Sequence, residues 1–436
     1  MREMKDSGLE WIGEIPRHWT TDRIRYTAKL NGRIGWQGLT SKEYQDEGAI
    51  LVTGINFADG SIDWKQCFRV PFERWQQAPE IQLKNGDLLI TKDGTVGKIA
   101  IVKDLPEKAT LNSGVMKIAP LSSINTKFLY YTLLSDEFWH WFNYKNSGAS
   151  TIIHLYQNDF YEFKYAIPPL SEQQAIADFL DYKCSELDAL VGDIQQQIAI
   201  LKDYKKSLIT KAVTKGLNPN VEMKDSCIEW IGEIPAHWTI QKIKQNFNIV
   251  SGSTPSSTVT KYWDGDIVWI TPADFKTDDK WVSKGKRNIS TQGYRSCNTT
   301  MLPEKSIIFS KRAPVGSVII NTVQLCTNQG CLGCIPNANT YAVYFYYVMS
   351  VATVEFELVS SGTTFKEISL NEFSNFKLPS PPLSEQQAIA DFLDSKCSDI
   401  DATIAGKQHQ LSILQDYKKS LIYEYVTGKK EVPAHE

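Results

Sequence analysis

Two stretches of the chain carry apolar side chains at alternating spacings of three and four. In the first they fall at Ala177, Leu180, Cys184, Leu187, Val191, Ile194, Ile198, Leu201, Lys205, Leu208 and Ala212. The second, 213 residues later, has Ala390, Leu393, Cys397, Ile400, Ile404, Lys407, Leu411, Leu414, Lys418, Leu421 and Tyr425. This is a heptad seam held for about five heptads, the mark of a long helix that must bury one face. Pro168-Pro169 precedes the first stretch, and Ser171-Glu172-Gln173-Gln174 reads as a capping box at its start. Elsewhere the pattern shortens to β-type runs such as GDLLITKDG, VGKIAIV and SIIFSKRAPVGSVII between Gly, Asn and Pro, each set followed by one aromatic helical stretch, about 126–145 and 341–358.

The helices belong to a tandem repeat. MKDSGLEWIGEIPRHWT (4–20) and MKDSCIEWIGEIPAHWT (223–239) agree at 14 of 17 positions, and PPLSEQQAIADFLDYKCSELDAL (168–190) and PPLSEQQAIADFLDSKCSDIDAT (381–403) at 19 of 23. The segments between diverge, yet Thr53 to Phe57 lines up with Thr271 to Phe275, Val96-Gly97 with Val315-Gly316, Asn112 and Gly114 with Asn328 and Gly330, and Tyr130-Tyr131 with Tyr346-Tyr347. We therefore expect an α+β chain in five segments. Residues 1–167 form a first module, 168–216 a first helix, 217–380 a second module, 381–428 a second helix and 429–436 a tail. Only about eight residues join the first helix to the second opening block, so a second helix that pairs with the first must run antiparallel to it. The expected seam is Leu180, Leu187, Val191, Ile194, Ile198, Leu201 and Leu208 against Leu393, Ile400, Ile404, Leu411, Leu414 and Leu421, in a pseudo-twofold arrangement. A coiled coil between separate chains is the alternative. The doubled opening block is expected to pack Trp11, Ile12, Ile15 and Trp19, and Trp230, Ile231, Ile234 and Trp238, between a helix end and a module.

A length of 436 residues with 42% apolar residues supports two to four folded domains. No apolar leader opens the chain, and the aromatic run at 341–349 is too short to span a bilayer, so the expected location is cytoplasmic. Eight scattered cysteines fit reduced thiols. The net charge of −3 hides an uneven distribution: residues 21–167 carry +1, residues 240–380 carry +4, and the remainder −8. Two neutral-to-basic modules suit a polyanion, and the acidic remainder suits protein.

Two related surfaces on a helical rod of roughly 67 Å at most match a duplex read at two places. The tandem WIGEIPxHW blocks, the PPLSEQQ that opens each helix and the variable modules between them closely resemble the specificity (S) subunit of type I restriction-modification enzymes, over essentially the whole chain. The resemblance implies that roughly 21–167 and 240–380 are target recognition domains reading an interrupted, asymmetric double-stranded DNA site. It also implies that the helices set the spacer and bind two methyltransferase subunits, to which motor-nuclease subunits attach. S-adenosylmethionine, ATP and Mg would then belong to those partners, and this chain would bind no cofactor and catalyse nothing itself. Consistent with that, no N-P-P-[FY] or D-P-P-[YF] stretch is present, and GTVGKIA at 94–100 lacks the spacing of a phosphate loop, with Ile99 where Ser or Thr would bind magnesium. Cys331-Leu-Gly-Cys334 has a metal-like spacing but no second pair, and reads as two small buried hydrophobes. A self-sufficient modifying enzyme and a scaffold that binds only protein are the competing classes.

Base edges are read by Arg, Lys, Asn and Gln, and phosphates by Lys, Arg, hydroxyls and backbone N–H groups. Loops rich in these beside Gly supply the candidates. In the first module they are Arg33, Trp36, Gln37, Asn56, Lys92, Asp93, Thr95, Asn112, Lys145 and Ser147; in the second, Ser253, Thr254, Asp274, Lys276, Lys284, Lys286, Arg287, Lys311, Arg312, Asn328, Gln329, Ser361, Thr363 and Thr364. A cation recurs at Lys92 and Lys311 while the neighbours Asp93 and Arg312 differ, as expected where one anchors phosphate and the next reads sequence. Asp93 and Asp274 either accept from a cytosine amino group or brace a neighbouring cation.

Overall fold

The computed structural model describes residues 2–33, 39–146, 154–276, 279–312, 314–362 and 366–433. The chain divides into two compact units, Met1–Ile194 with His409–Glu436, and Gln195–Gln408. The helix Leu170–Lys215 starts in the first unit and ends in the second, and the helix Leu383–Val426 does the reverse. No described helix is long and apolar enough to cross a membrane.

In the first unit the opening block is a hairpin, Met4–Asp6 against Glu14–Pro16, and Thr20–Arg23 then pairs with Lys164–Ile167 just before the long helix. Between them lies an antiparallel sheet in the order Ile99–Ile101, Leu88–Thr91, Val115–Pro120, Ala28–Gly32. A three-stranded sheet, in which Ala109–Leu111 runs parallel to Ala49–Val52, accompanies it. The second unit repeats the plan. Met223–Asp225 pairs with Glu233–Pro235, Thr239–Lys242 with Lys377–Ser380, and the larger sheet has the order Phe247–Ser251, Cys331–Pro336, Ile307–Ser310, Val318–Asn321, with Trp281–Val282 added at its edge. Each aromatic helical stretch is two helices rather than one: Thr126–Leu134 and Asp136–Lys145, then Ala342–Val351 and Thr353–Leu358. Ser135 breaks the first by taking an extended backbone with φ −73° and ψ 162°.

The seam residues pack as an antiparallel pair within each unit. In the first, Lys418 Nζ reaches the Asp188 carboxylate at 2.6 and 2.7 Å, and Phe179 lies 4.5 Å from Tyr425 between ring centroids, so advancing along one helix means retreating along the other. In the second, Lys205 Nζ meets the Asp401 carboxylate at 2.6 Å and Lys407 Nζ meets Gln197 Oε1 at 2.5 Å. Lys407, which interrupts the apolar seam, thus keeps its charge at a polar partner. Leu180 and Leu393 are fully buried. Leu187, Ile198, Ile400, Ile404 and Leu421 are buried, and Val191, Ile194, Leu201, Leu208, Leu411 and Leu414 half-buried. Each helix ends at a left-handed glycine, Gly216 with φ +71° and Gly428 with φ +72°. A Cβ at 428 would strike Pro16 of the opening block, and one at 216 would stand 3.2 Å from Trp238.

The capping box expected at Ser171 is not what starts the helix. The helix begins at Leu170, the Pro169 carbonyl already accepts from the Glu172 and Gln173 N–H groups, and Ser171 sits inside the first turn. Gln174 instead bonds Asn125 Nδ2 at 2.7 Å and Asp178 at 2.8 Å. Glu172 and Gln173 look outward to the module. Glu172 accepts from Trp19 Nε1 at 3.0 Å and from Arg2 at 3.1 Å, and its other oxygen lies 2.6 Å from His18 Nε2. Burial pushes the Glu172 carboxyl up, but the Trp19 and His18 bonds and the Arg2 charge outweigh it and hold the pKa below its ordinary value. In the second unit Glu385 meets Trp238 Nε1 at 2.9 Å and His237 Nε2 at 2.7 Å. Gln173 and Gln386 each take a module N–H, from Asn125 and Tyr341, and donate to module carbonyls at Ser123 and Asn339. The opening block packs as expected: Trp19, Ile15 and Ile12 share a core with Leu421, Ile422, Tyr425 and Val426, and Trp238, Ile234 and Ile231 one with Ile209, Ala212 and Val213.

Glu137, in the helix Asp136–Lys145, has no exposed surface, and burial raises its pKa well above the carboxylate range against an opposing backbone contribution from Ala166. Between its ordinary pKa and its raised one it is neutral when folded and ionised when unfolded, so it lowers stability increasingly as pH rises across that window. The isosteric Glu137→Gln is expected to raise the Tm of the full chain at pH 8, the gap closing as pH falls through about 4–5. An equal or lower Tm at pH 8 would refute a neutral Glu137.

Candidate nucleic-acid interface

In each unit three turns come together, two after paired strands of the three-stranded sheet and one after a strand of the larger sheet. In the first unit, after Ala49–Val52, Thr53 N–H and Oγ1 donate to Asn56 Oδ1 at 2.8 and 2.9 Å, closing a short 3₁₀ turn, and Asn56 Nδ2 donates to the Gln66 carbonyl. After Leu88–Thr91, the turn 92–97 returns through Gly97 N–H to the Thr91 carbonyl, with φ +81° at Gly97. After Ala109–Leu111, Asn112 Oδ1 accepts from Gly114 N–H at 3.1 Å, and the Gly114 carbonyl accepts from Lys92 N–H. A Cβ on Gly114 would stand 3.6 Å from that of Asp93, and one on Gly54 would stand 4.0 Å from the Asp93 carbonyl, so the turns converge on Asp93.

The second unit repeats these bonds with other side chains. Thr271 N–H and Oγ1 donate to Asp274 Oδ2 at 2.8 and 2.7 Å, Gly316 N–H returns to the Ser310 carbonyl, Asn328 Oδ1 accepts from Gly330 N–H, and Lys311 N–H donates to the Gly330 carbonyl. A Cβ on Gly330 would lie 3.0 Å from both Arg312 Nε and Pro272 Cγ, so here the turns converge on Arg312. Lys286 N–H donates to Asp274 Oδ1 at 2.8 Å, which ties the basic run Lys284, Lys286 and Arg287 to this cluster. All three are exposed, and the Arg287 guanidinium lies 4.0 Å over the Trp263 ring.

The candidate side chains therefore fall into three groups. Asn56, Asp274, Asn112 and Asn328 brace their own turns. Arg33 is 5% exposed and donates to the Leu111 carbonyl at 2.8 Å and to Thr110 at 3.0 Å; its burial, with Arg74 nearby, lowers its pKa. Ser253 N–H donates to the Thr327 carbonyl, and the Ser253 carbonyl accepts from Trp269. Facing outward are Thr95, Lys145, Thr254 with its hydroxyl on Gln329, Lys276 and Ser361. Lys92, Asp93, Lys311 and Arg312 are half-buried at the convergence points. Trp36, Gln37, Ser147, Thr363 and Thr364 lie outside the described residues. His154, with Nδ1 2.6 Å from Asp93 Oδ1, and Glu367, 2.8 Å from Lys311 Nζ, join the clusters without having been singled out in the sequence. The visible signal was the match of HLYQNDF to EISLNEF across the repeat.

Among the described residues no group of three or more His, Cys, Asp or Glu side chains could hold a metal ion. Cys331 and Cys334 share one buried strand, and burial raises both thiols.

Two copies of one turn cluster, alike in backbone and different in side chains, define a duplicated chain. The family described as type I restriction modification DNA specificity domain matches residues 72–202 and 235–412, and the chain belongs to it. It is 29% identical over 430 residues to the type I restriction enzyme MjaX specificity subunit of Methanocaldococcus jannaschii, covering 97% of this chain and 96% of that one. A chain from a solved type I R-M system shares the fold with a TM-score of 0.74 at 16% identity, covering 95% of this chain and 99% of that one. The HsdS subunit from Thermoanaerobacter tengcongensis does so with a TM-score of 0.52 at 16% identity, covering 95% and 98%.

Bracing and outward residues separate by stability. Asn56→Ala leaves the buried Thr53 N–H and hydroxyl and the Gln66 carbonyl without this partner and is expected to cost about 1–3 kcal/mol in denaturant unfolding. Lys276→Ala, at an 80% exposed side chain, should stay within about 0.5 kcal/mol. Equal effects of the two would contradict this division.

Proposed function

We propose that the chain is the DNA-reading, non-catalytic subunit of a type I restriction-modification complex. Each unit acts as a target recognition domain for one half of an interrupted, asymmetric double-stranded site. The long helices set the spacer and dock two methyltransferase subunits, through which motor-nuclease subunits join. S-adenosylmethionine, ATP and Mg act in those partners, and the complex works in the cytoplasm. The carrying observation is the duplicated turn cluster: a shared backbone keeps the docking geometry, while Asp93 against Arg312 gives each copy a different reading surface. Phosphate contacts from Lys92, Lys276, Lys284 and Lys286 supply affinity, and base contacts the discrimination.

Long-read methylation sequencing of a host carrying this chain and its methyltransferase partner tests the reading. An interrupted motif with modified adenine on both strands is expected, and unmodified DNA or an uninterrupted palindrome would overturn it. DNA binding by the assembled complex should weaken steeply between about 50 and 200 mM salt, as counterion release requires. Salt-independent binding would favour a scaffold that contacts only protein.

A further inference from the structure

The two convergence points carry acid–base contacts of opposite order. In the first unit the turn supplies the acid and the later segment the base: Asp93 Oδ1 lies 2.6 Å from His154 Nδ1, with the side chains 42% and 38% exposed. In the second unit the turn supplies the bases and the later segment the acid: Lys311 Nζ lies 2.8 Å from Glu367 Oε1, with Arg312 next in the chain. The backbone shows that the positions correspond. Leu155 N–H donates to the Lys92 carbonyl at 3.0 Å, and Ile368 N–H to the Lys311 carbonyl at 3.0 Å. His154 and Glu367 each stand one residue before that bond, and Asp93 and Arg312 each stand one residue after its acceptor. Both of the latter lie over the glycine of the Asn-x-Gly turn, at Gly114 and Gly330.

Half-exposed pairs like these add only about 0–1 kcal/mol to stability, so folding does not demand either order. Such a pair orients a side chain. We propose that this position is a base-reading point in each module, with His154 reading the first half-site and Arg312 the second; this rests on the function proposed above and deepens it. In the tautomer that the Asp93 carboxylate, an acceptor only, selects, Nδ1 carries the proton and Nε2 is left as an acceptor. That acceptor suits the exocyclic amino group of adenine or cytosine. Arg312 offers donors only, which suit guanine O6 and N7 together, and Glu367 draws the neighbouring Lys311 ammonium to itself.

The test is methylome sequencing of cells carrying the full chain with its methyltransferase partner, comparing wild type, His154→Ala and Arg312→Ala. His154→Ala is expected to lower discrimination at one adenine or cytosine position of one half-site by roughly ten- to a hundredfold, leaving the other half unchanged. Arg312→Ala is expected to do the same at one guanine of the opposite half-site. The untouched half is the internal control for folding. If an alanine variant does not melt cooperatively, His154→Gln or Arg312→Lys carries the same readout. Unchanged motifs in both variants would overturn this assignment while leaving the proposed function standing. Loss of all methylation in a variant that melts like the wild type would overturn it too, because the pair would then supply affinity and not discrimination. Absence of any interrupted motif in the wild type would instead overturn the function on which the assignment rests.

Discussion

Each long helix leaves its module with a carboxylate in the first turn, Glu172 or Glu385, and that carboxylate is gripped by the His-Trp pair of the opening block. The acid stands where the helix N-terminus favours negative charge, and its bonds are charge-assisted on the acceptor side. The Trp that donates is wholly buried, so its indole N–H has few other partners. One residue further, Gln173 or Gln386 satisfies module backbone from both ends of its amide. Two adjacent side chains therefore join hairpin, aromatic helices and long helix within a unit. The sheets and turns behind them inherit their orientation from this joint.

How far such a joint could be read in the sequence differed by residue. The heptad seam was legible because a 3.5-residue period sustained over so many turns has few other meanings. The burial of Trp19 and Trp238 was legible because the string around them repeats almost unchanged. The start of the helix is not legible locally: Ser-x-x-Gln fits a capping box, but Gln174 bonds a partner 49 residues away, Asn125. Among the loops, Asn, Asp and Arg beside glycine suit base reading and turn bracing equally. Arg33, Asn56 and Asp274 turned inward because the fold brought unpaired backbone and hydroxyl groups within their reach. His154 went unnoticed because its partner Asp93 lies 61 residues earlier.

The turn clusters show how one scaffold tolerates divergence. Lys92 and Lys311, Gly97 and Gly316, and Gly114 and Gly330 are linked through backbone N–H and carbonyl groups, which every non-proline residue supplies. Exposed side chains can then change without disturbing the turn. Asn112 and Asn328, and Asn56 and Asp274, are exceptions, because their side chains complete the turns. A loop built this way holds a fixed place on the domain while presenting different chemistry.

The charged contacts across the helices have a consequence for assembly. Asp188 and Lys205 on one helix correspond through the repeat to Asp401 and Lys418 on the other, and the pairs formed are Lys418 with Asp188 and Lys205 with Asp401. Each helix thus carries both the acid and its complementary base, at the spacing its antiparallel partner needs. These two contacts are self-complementary in the sense used for twofold interfaces: each helix gives an acid to one contact and a base to the other.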